Sequence, residues 1–444
     1  MDANPRLIPP GPTEAYDTTV GLLDWMAENF DRFGDIYKAS IYSTDAYVIR
    51  DPHYAQHVLQ RNWQNYKKGQ VIKRVALLLG NGLMVSEGEF WKKQRRMIQP
   101  AFLQKAIADL SAAIVTANLA LLEAWEQAAL DARSVNVTRD ISLMVLEVVL
   151  VSIFGKDHGD VAPHFSILSD ETSRDLRFAQ AFRSLGDLVI QVAARRRNEG
   201  RISTDILGML MEARDRDSGQ TMSDRQLVSE IMTLIVAGHE TTASSLNMTW
   251  YLLSGHPEVD EKLFDELDRL MGDRFPNPDE LPKFIYTRQV LEEVQRLYPP
   301  GWLMTRKALN DDRLGDYYVP AGTEIYVPPY FIHRHPKVWE SPDTFDPDRF
   351  APDRSSGRHA MAMLPFSAGP RNCIGEFLAR NEMQIHLMAI GKWLRLRFIG
   401  SRQLELEAGV NLRSVHDFMM VPELRNHSLD RSFHFRPCVH PDPA

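Results

Sequence analysis

The chain has 444 residues, 44% hydrophobic and 25% charged, which is the balance of an ordinary globular protein. Its net charge of -8 argues against nucleic acid as the main partner, because phosphate binding requires a basic surface. The two cysteines, Cys373 and Cys438, form no disulfide framework, so nothing demands an oxidising compartment. The N-terminal residues contain no signal-peptide-like apolar run, and no segment reaches the ~18 apolar residues of a membrane helix. We therefore expect a cytoplasmic protein without a membrane span.

The first part of the chain mixes short strand signals with helices. Residues 35–41 and 46–49 predict a hairpin-like pair of strands. From about Phe90 to Ser254, apolar residues recur at helical spacing. The basic triplet 195–197 in this stretch is interpreted as a solvated helix face. Because repeats, low-complexity tracts and long linkers are absent from the sequence, we expect a single domain over residues 1–444.

One predicted helix is unusually long. Residues 223–226 form a capping-box start, and residues 255–257 (Gly-His-Pro) form the stop. A helix of this length that is apolar on most sides must run through the core. Further on, residues 317–327 predict two strands around a turn, and a last helix is expected from just after Cys373 to about Trp393.

The resulting fold class is mainly α with a small β region. The helix-rich core is expected at about residues 90–300 and 374–395. The β-rich parts are expected at about residues 35–50, 303–330 and 396–424.

The segment 366–375, Phe-Ser-Ala-Gly-Pro-Arg-Asn-Cys-Ile-Gly, has the composition of a thiolate metal site. A thiolate ligand needs backbone N–H donors and a positive potential nearby. Cys373 precedes a helix, whose N-terminal dipole stabilises a thiolate. Gly369 and Gly375 allow the backbone to approach closely. The alternative is a buried structural cysteine.

This segment resembles the signature of the cytochrome P-450 family, which has Phe, Gly, Arg, Cys and Gly at these positions. Other family segments follow in order, so the resemblance extends over essentially the whole chain. It implies the P-450 fold and a haem b cofactor (iron protoporphyrin IX), with Cys373 as the iron ligand. It also implies haem contacts from Phe366, Gly369, Arg371 and Gly375.

A second segment, residues 237–242 (Ala-Gly-His-Glu-Thr-Thr), lies in the middle of the long helix. A mid-helix threonine usually bonds back to the carbonyl four residues earlier, which for Thr241 belongs to Ala237. Such a bond opens a small polar groove, Gly238 leaves room for a diatomic ligand, and Glu240 can relay protons. This matches the family's acid–alcohol pair for oxygen activation. The alternative is a helix kink with a solvated acid, and His239 is given no role.

Two further segments match the family. Glu293 and Arg296 share a helix face and, with Arg349, correspond to a buried charge network that holds the cysteine loop. Trp91 and Arg95 also share a helix face, and the resemblance makes them contacts of the haem propionates. Arg306 and Arg371 complete that expected set; for each arginine the alternative is a surface position.

The resemblance implies a monooxygenase that inserts one atom of O2 into a small organic substrate. The sequence has no flavin or dinucleotide fingerprint, so electrons are expected from a separate donor, a ferredoxin or flavodoxin with its reductase. One alternative is a haem-thiolate enzyme that uses or rearranges a peroxide, although Glu240 and Thr241 argue against it. The other is a non-catalytic haem sensor.

Positions matching the family's substrate contacts are mainly apolar, which favours an apolar substrate such as a fatty acid, terpenoid or polyketide-like molecule. The alternative is that they pack in the core. These positions are Leu83, Met84, Val85, the stretch around Phe178 to Phe182, Leu303, Met304, Phe418 and Met419. A basic patch of Lys92, Lys93 and Arg96 is expected to steer an acidic electron donor, and the alternative is a solvated charged face.

Overall fold

The computed structural model describes residues 7–104, 110–165, 176–201, 203–401 and 403–425. No helix in these ranges is long and apolar enough to cross a membrane. The α-helices in them are α1 (Leu22–Phe33), α2 (Pro52–Gln56), α3 (Gln70–Leu79), α4 (Gly88–Ile98), α5 (Ser111–Leu130), α6 (Val137–Phe154), α7 (His158–Phe165), α8 (Leu176–Asn198), α9 (Ile206–Glu212), α10 (Asp224–Gly255), α11 (Pro257–Met271), α12 (Ile285–Leu297), α13 (Pro329–Ile332), α14 (Pro352–Ser355) and α15 (Glu376–Gly391).

The strands form small sheets beside the helices. A five-stranded sheet has the order β1-β2-β8-β5-β3, a three-stranded sheet the order β4-β12-β9, and β6-β7 and β10-β11 are two-stranded. The strands are β1 (Ile36–Ile41), β2 (Thr44–Ile49), β3 (Tyr66–Lys68), β4 (Val135–Asn136), β5 (Met304–Ala308), β6 (Asp312–Leu314), β7 (Tyr317–Val319), β8 (Glu324–Val327), β9 (Leu394–Phe398), β10 (Leu406–Ala408), β11 (Leu412–Ser414) and β12 (Met419–Leu424). The mainly α fold class is therefore confirmed.

Two strand predictions have different outcomes. The first hairpin is confirmed, since β1 pairs antiparallel with β2 and Ile36 lies opposite Ile49. Residues 317–327 do form two strands, but β7 pairs with β6 while β8 lies between β2 and β5. All four residues of β8 are buried, so this strand belongs in the middle of the larger sheet and not in a local hairpin.

The long helix is α10, and both of its predicted ends are confirmed. The Ser223 side chain accepts a hydrogen bond from the backbone N–H of Gln226, and the helix ends at Gly255. It packs mainly against α6. His239 binds Ser142 of α6 at the hydroxyl (2.9 Å) and at the carbonyl oxygen (3.0 Å), and burial lowers the pKa of His239 to about 4. This residue therefore anchors the long helix as a neutral imidazole.

The interpretation of residues 195–197 as a solvated face is wrong for the middle arginine. Arg196 is 1% exposed and pairs with Asp157 and Asp205, each with a shortest N–O distance of 2.7 Å. Arg197 lies on the outer side and pairs with Asp224. The two aspartates that compensate Arg196 come from other elements, so the charge run alone could not reveal the burial.

Candidate active site

The cysteine loop, residues 366–375, has a tightly constrained backbone. The Cys373 N–H donates to the Phe366 carbonyl at 2.9 Å, which closes the loop. Gly369 has a φ of +71°, and a Cβ there would lie 2.1 Å from the Leu59 carbonyl oxygen. Glycine is therefore required, but the close approach is to a neighbouring backbone and not to the sulfur. Gly375 leads into α15, and a Cβ there would make ordinary contact with the Cys373 sulfur at 4.0 Å.

The Cys373 sulfur lies in an open pocket between α4 and α15. The side chain is reached by solvent, yet the surrounding protein desolvates the thiol enough to raise its pKa. Backbone N–H groups of Gly375 and Glu376 and the Arg95 guanidinium act in the opposite direction and favour the thiolate. Arg95 itself donates to Asn372, to the carbonyl oxygen at 2.8 Å and to Oδ1 at 3.0 Å. Cys438 lies outside the described residues.

Three cations converge beside the cysteine loop: Lys68, Arg306 and Arg371. The Lys68 ammonium donates to the carbonyl oxygens of Leu83 (3.0 Å) and Ser86 (3.1 Å). Burial, and then the charge of Arg371, lower the pKa of Lys68 to about 7. Burial, and then Arg371, also lower the pKa of Arg306 to about 10.

The carboxylate of Glu87 faces these cations. It forms an ion pair with Arg371 and accepts a 2.6 Å hydrogen bond from the backbone N–H of Lys68. The Arg371 guanidinium also stacks on Trp91, 4.3 Å from the ring centre. We call Lys68, Glu87, Arg306 and Arg371 the Lys68 cluster. Sequence reasoning identified its two arginines but missed Lys68 and Glu87, because no motif marks either residue.

The Lys68 cluster fits an anionic cofactor. Its three basic side chains outnumber the carboxylates that act on them, which are Glu87 and, at Lys68, also Glu230. Arg371 Nε is buried without a hydrogen-bond partner in the described part of the chain. A buried cation is unfavourable unless it is paired, so the cluster favours an anionic ligand such as a propionate. The chemistry of these residues and of Cys373 therefore fits haem.

The predicted Glu293 network, made of Glu293, Arg296 and Arg349, is confirmed as a contact. Glu293 Oε2 lies 2.6 Å from Arg296 Nε, and Glu293 Oε1 lies 3.3 Å from Arg349 Nε. Arg296 also donates to the His333 carbonyl at 2.9 Å, and His333 Nε2 accepts the backbone N–H of Leu364 at 2.7 Å. Leu364 is two residues before the cysteine loop, so His333 links the network to that loop.

The groove in the long helix contains the expected threonine bond. Thr241 Oγ1 donates to the Ala237 carbonyl at 2.7 Å, as the sequence predicts. Glu240 is half-buried, and its Oε2 accepts a 2.7 Å hydrogen bond from the Asn411 side-chain amide. Sequence reasoning missed Asn411, because it lies 171 positions away and no motif connects it with Glu240.

Gly238 has a packing role in this helix. A Cβ at this position would lie 3.3 Å from Val149 Cγ2 of α6, which is tighter than usual. The glycine therefore allows α6 and the long helix to approach closely. This differs from the expected reason, which was room for a diatomic ligand.

The predicted substrate-lining residues divide into two groups. The Leu83 N–H donates to the buried Glu230 carboxylate at 2.7 Å, which fixes the loop before α4 against the long helix. Phe418 is 3% exposed and stacks on Tyr251 at 5.1 Å, so it packs in the core. The other positions are half-buried: Met84, Val85, Leu303, Met304 and Met419. The side chains of residues 178–182 lie outside those that the structure describes.

The expected basic patch is largely compensated by carboxylates. Lys92 pairs with Glu89 at 2.7 Å, and Lys93 with Asp215 at 3.4 Å. Arg96 pairs with Asp217 at 2.8 Å. The expectation of a freely basic face was therefore wrong, because the aspartates come from the loop after α9, which the local sequence of α4 cannot reveal.

Comparison with known proteins identifies relatives along nearly the whole chain. A family model described as cytochrome P450 matches residues 15–163 and 157–403. The cyclooctat-9-en-7-ol 5-monooxygenase of Streptomyces melanosporofaciens is 33% identical over 82% of this chain and 83% of the relative. The pentalenene oxygenase of Streptomyces avermitilis is 30% identical, over 81% and 84%.

A solved structure, the haem domain of cytochrome P450DA, has the same fold. Its TM-score is 0.83 at 24% identity, and the match covers 94% of this chain and 98% of that chain. This chain therefore belongs to the cytochrome P450 family, and it is a haem-thiolate monooxygenase.

Proposed function

We propose that this protein oxygenates an apolar, terpenoid-like molecule at a site made of Cys373, Glu240, Thr241 and the Lys68 cluster. The charge excess of that cluster beside Cys373 is the observation that carries the cofactor assignment. Haem b, bound without a covalent link, is the form proposed, because the sequence has no Cys-x-x-Cys-His motif for attachment. A cytoplasmic location is part of the proposal, because the two cysteines of the sequence form no disulfide framework that would need an oxidising compartment.

Residues of this chain would hold the cofactor at three places. Cys373 would ligate the iron, and the cations Lys68, Arg306 and Arg371 would bind the propionates together with Trp91. Arg95, which the resemblance assigns to the propionates, donates to Asn372, and we propose that it supports the cysteine loop instead. The remaining proposed contacts are Phe366, Gly369 and Gly375 in the loop and Ala237 and Gly238 in the long helix. When bound, haem supplies the iron that activates O2, with the thiolate donating electron density to it.

The proposed proton path uses Glu240 and Thr241. Because the Thr241 hydroxyl donates its proton to Ala237, its lone pairs face the groove and can accept a hydrogen bond. Glu240 on the adjacent position can exchange protons with that hydroxyl through water. The pair would thus deliver protons to oxygen bound in the groove. Thr241→Ala should retain haem but divert electrons to hydrogen peroxide, and an unchanged peroxide yield would contradict this role.

The substrate proposal rests on two independent observations. The half-buried residues Met84, Val85, Leu303 and Met304 offer apolar surface. Two relatives are named for cyclooctat-9-en-7-ol and for pentalenene, an unsaturated alcohol and an unsaturated hydrocarbon by their names.

The electron donor is proposed to be a separate protein of the ferredoxin or flavodoxin type. It would dock where the pocket opens next to Cys373. Leu103 and Phe377 are exposed at 54% and 37% on that side and offer apolar contacts. Such a face suits a transient protein contact with an apolar centre and charged rim.

The test begins with the ligand. Cys373→Ser should abolish the thiolate signature in the carbon-monoxide difference spectrum of the reduced protein, and Cys438→Ser should keep it. A panel of terpenoids, fatty acids and polyketides is then screened by the haem spectral shift. The strongest ligand is incubated with isotopically labelled O2, NADPH and a surrogate ferredoxin with its reductase. One labelled oxygen atom in the product supports the proposal. Turnover that needs peroxide but no reductant would overturn the proposal. A polar molecule as the tightest-binding ligand would also overturn it.

A further inference from the structure

The turn between β10 and β11 brings Asn411 to the acid of the long helix. The Asn411 side-chain amide donates to Glu240 Oε2 at 2.7 Å. We propose that Asn411 is a positioning residue, which holds the Glu240 carboxylate beside Thr241 for proton delivery. This inference rests on the role proposed above for Glu240.

The turn that carries Asn411 is firmly anchored. Ser244 Oγ donates to the Leu412 carbonyl at 2.7 Å, and the Leu412 N–H donates to the Pro300 carbonyl at 3.0 Å. On the other side of the turn, Trp302 Nε1 donates to the Gly409 carbonyl at 2.9 Å. The backbone on either side of Asn411 is therefore fixed, so its side chain reaches Glu240 with little loss of conformational freedom.

The long helix presents matching groups to this turn. Glu240 and Ser244 are four residues apart, so they lie on the same helix face. Ser244 binds the backbone of the turn, and Glu240 binds the side chain of Asn411. The Ser244 contact anchors the turn, whereas the Asn411 contact can position an ionisable group, the Glu240 carboxyl.

An amide suits a carboxyl group that must gain and lose a proton. Its N–H can donate to a carboxylate oxygen and, more weakly, to the carbonyl oxygen of the protonated acid, so the contact can persist in both states. A cationic partner would instead favour the ionised form. Asn411 therefore fixes the direction of Glu240 and favours the ionised form less strongly than a cation would.

The experiment needs no organic substrate. The full-length haem-loaded protein receives electrons from NADPH through a surrogate ferredoxin and its reductase, in the presence of O2. Oxygen that takes two electrons and two protons leaves as H2O2, and oxygen that takes four of each leaves as two waters. The yield of H2O2 per NADPH therefore reports how well protons are delivered.

Asn411→Leu removes the donor at similar size, and Asn411→Asp removes it while keeping the shape. Both should raise the H2O2 yield per NADPH by up to about fivefold, as expected for the loss of one hydrogen bond. Glu240→Gln should raise the yield at least as much. In the double variant, Asn411→Leu should add nothing, because it acts through Glu240. Ser244→Ala, the matched control, should lower the melting temperature slightly and leave the yield unchanged.

Each outcome separates the two proposals. If Glu240→Gln raises the H2O2 yield but neither Asn411 variant does, Asn411 has no positioning role and Glu240 keeps its own. If Glu240→Gln also leaves the yield unchanged, the role of Glu240 fails, and the inference fails with it. Additive effects in the double variant, or a Ser244→Ala effect as large as that of Asn411→Leu, would show that the turn acts through general anchoring.

Discussion

The Glu293 network and the Lys68 cluster are both groups of buried charges, but they differ in how far the chain satisfies their hydrogen-bond donors. In the Glu293 network, a carboxylate that is 0% exposed binds both arginines, and backbone carbonyls take up further donors of Arg296. In the Lys68 cluster, burial lowers the pKa of each of the three cations, and Arg371 Nε has no hydrogen-bond partner in the described residues. Both groups hold more cations than carboxylates, but backbone carbonyls satisfy the donors of the first, whereas the second leaves a donor for an anion from outside it.

This difference separates a structural site from a binding site. Buried charges whose hydrogen bonds are satisfied within the chain hold elements together, and the loss of one partner leaves the other uncompensated. Buried charges of one sign reduce the stability of the protein alone and are compensated when a ligand binds. Substitutions in the two groups should therefore have opposite consequences for folding and for cofactor binding.

The largest loss of stability is expected for Arg296→Met. This change leaves the Glu293 carboxylate buried with one arginine fewer and removes hydrogen bonds to the carbonyls of His333, Pro342 and Thr344. The free energy of unfolding should fall by about 3–5 kcal/mol, measured by urea denaturation of the haem-free protein. The matched control is Arg397→Met, which breaks an exposed pair with Glu423 and should change stability by less than about 1 kcal/mol. Equal losses in the two variants would remove the distinction between buried and exposed pairs.

Arg306→Met and Lys68→Met should weaken haem binding without destabilising the haem-free protein, and their effects should be smaller than that of Arg296→Met. The haem-free protein should be as stable as the wild type or more so, because a cation leaves a desolvated, positively charged site. Haem affinity should fall by roughly 1–3 kcal/mol per variant, the value of a lost charge-assisted bond. Transfer of haem to apomyoglobin gives the rate of haem loss, and urea denaturation gives the stability. If these variants destabilise the haem-free protein as Arg296→Met does, the cluster is structural.

The pH dependence of haem binding also tests whether the Lys68 cluster binds the haem propionates. Burial and Arg371 lower the pKa of Lys68 to about 7 in the protein without haem. A bound carboxylate favours the ammonium form and raises this pKa, so haem binding takes up a proton above pH 7. Haem affinity should therefore stay constant below about pH 7 and decrease as the pH rises above it. Binding titrations across this range test the prediction, and Lys68→Met should remove the decrease. If the haem affinity of Lys68→Met still decreases above pH 7, a group other than Lys68 causes the decrease.

The sequence was most informative where a contact joins residues at fixed helical offsets. The Ser223 cap, the Thr241–Ala237 bond and the Glu293–Arg296 pair each join residues three or four positions apart, so the helix alone brings them together.

Contacts between distant elements could not be predicted in this way. Asn411 reaches Glu240 from a turn, and the N–H of Lys68 reaches Glu87 from a strand. Arg196 looked solvated because its carboxylate partners lie on other elements. Hydrophobic periodicity identifies a buried face, but it carries no information on which polar group will lie opposite a given side chain.

The smallest effect concerns two adjacent lysines of α4. Lys92 is three residues before Arg95, which lines the pocket at Cys373, so Lys92 lies on the side where the electron donor is proposed to dock. Lys93 instead faces Asp215, which is 5% exposed. Lys92→Glu should slow reduction by an acidic ferredoxin a few-fold at low ionic strength, because rim charges act mainly on the association rate. Lys93→Glu should leave the rate of reduction unchanged.

Stopped-flow reduction at low and high salt gives the rates of both variants, and the difference between the two rates should vanish at high salt. Equal slowing by both variants would mean that the donor responds only to overall charge, and slowing by Lys93→Glu alone would move the docking face towards Asp215.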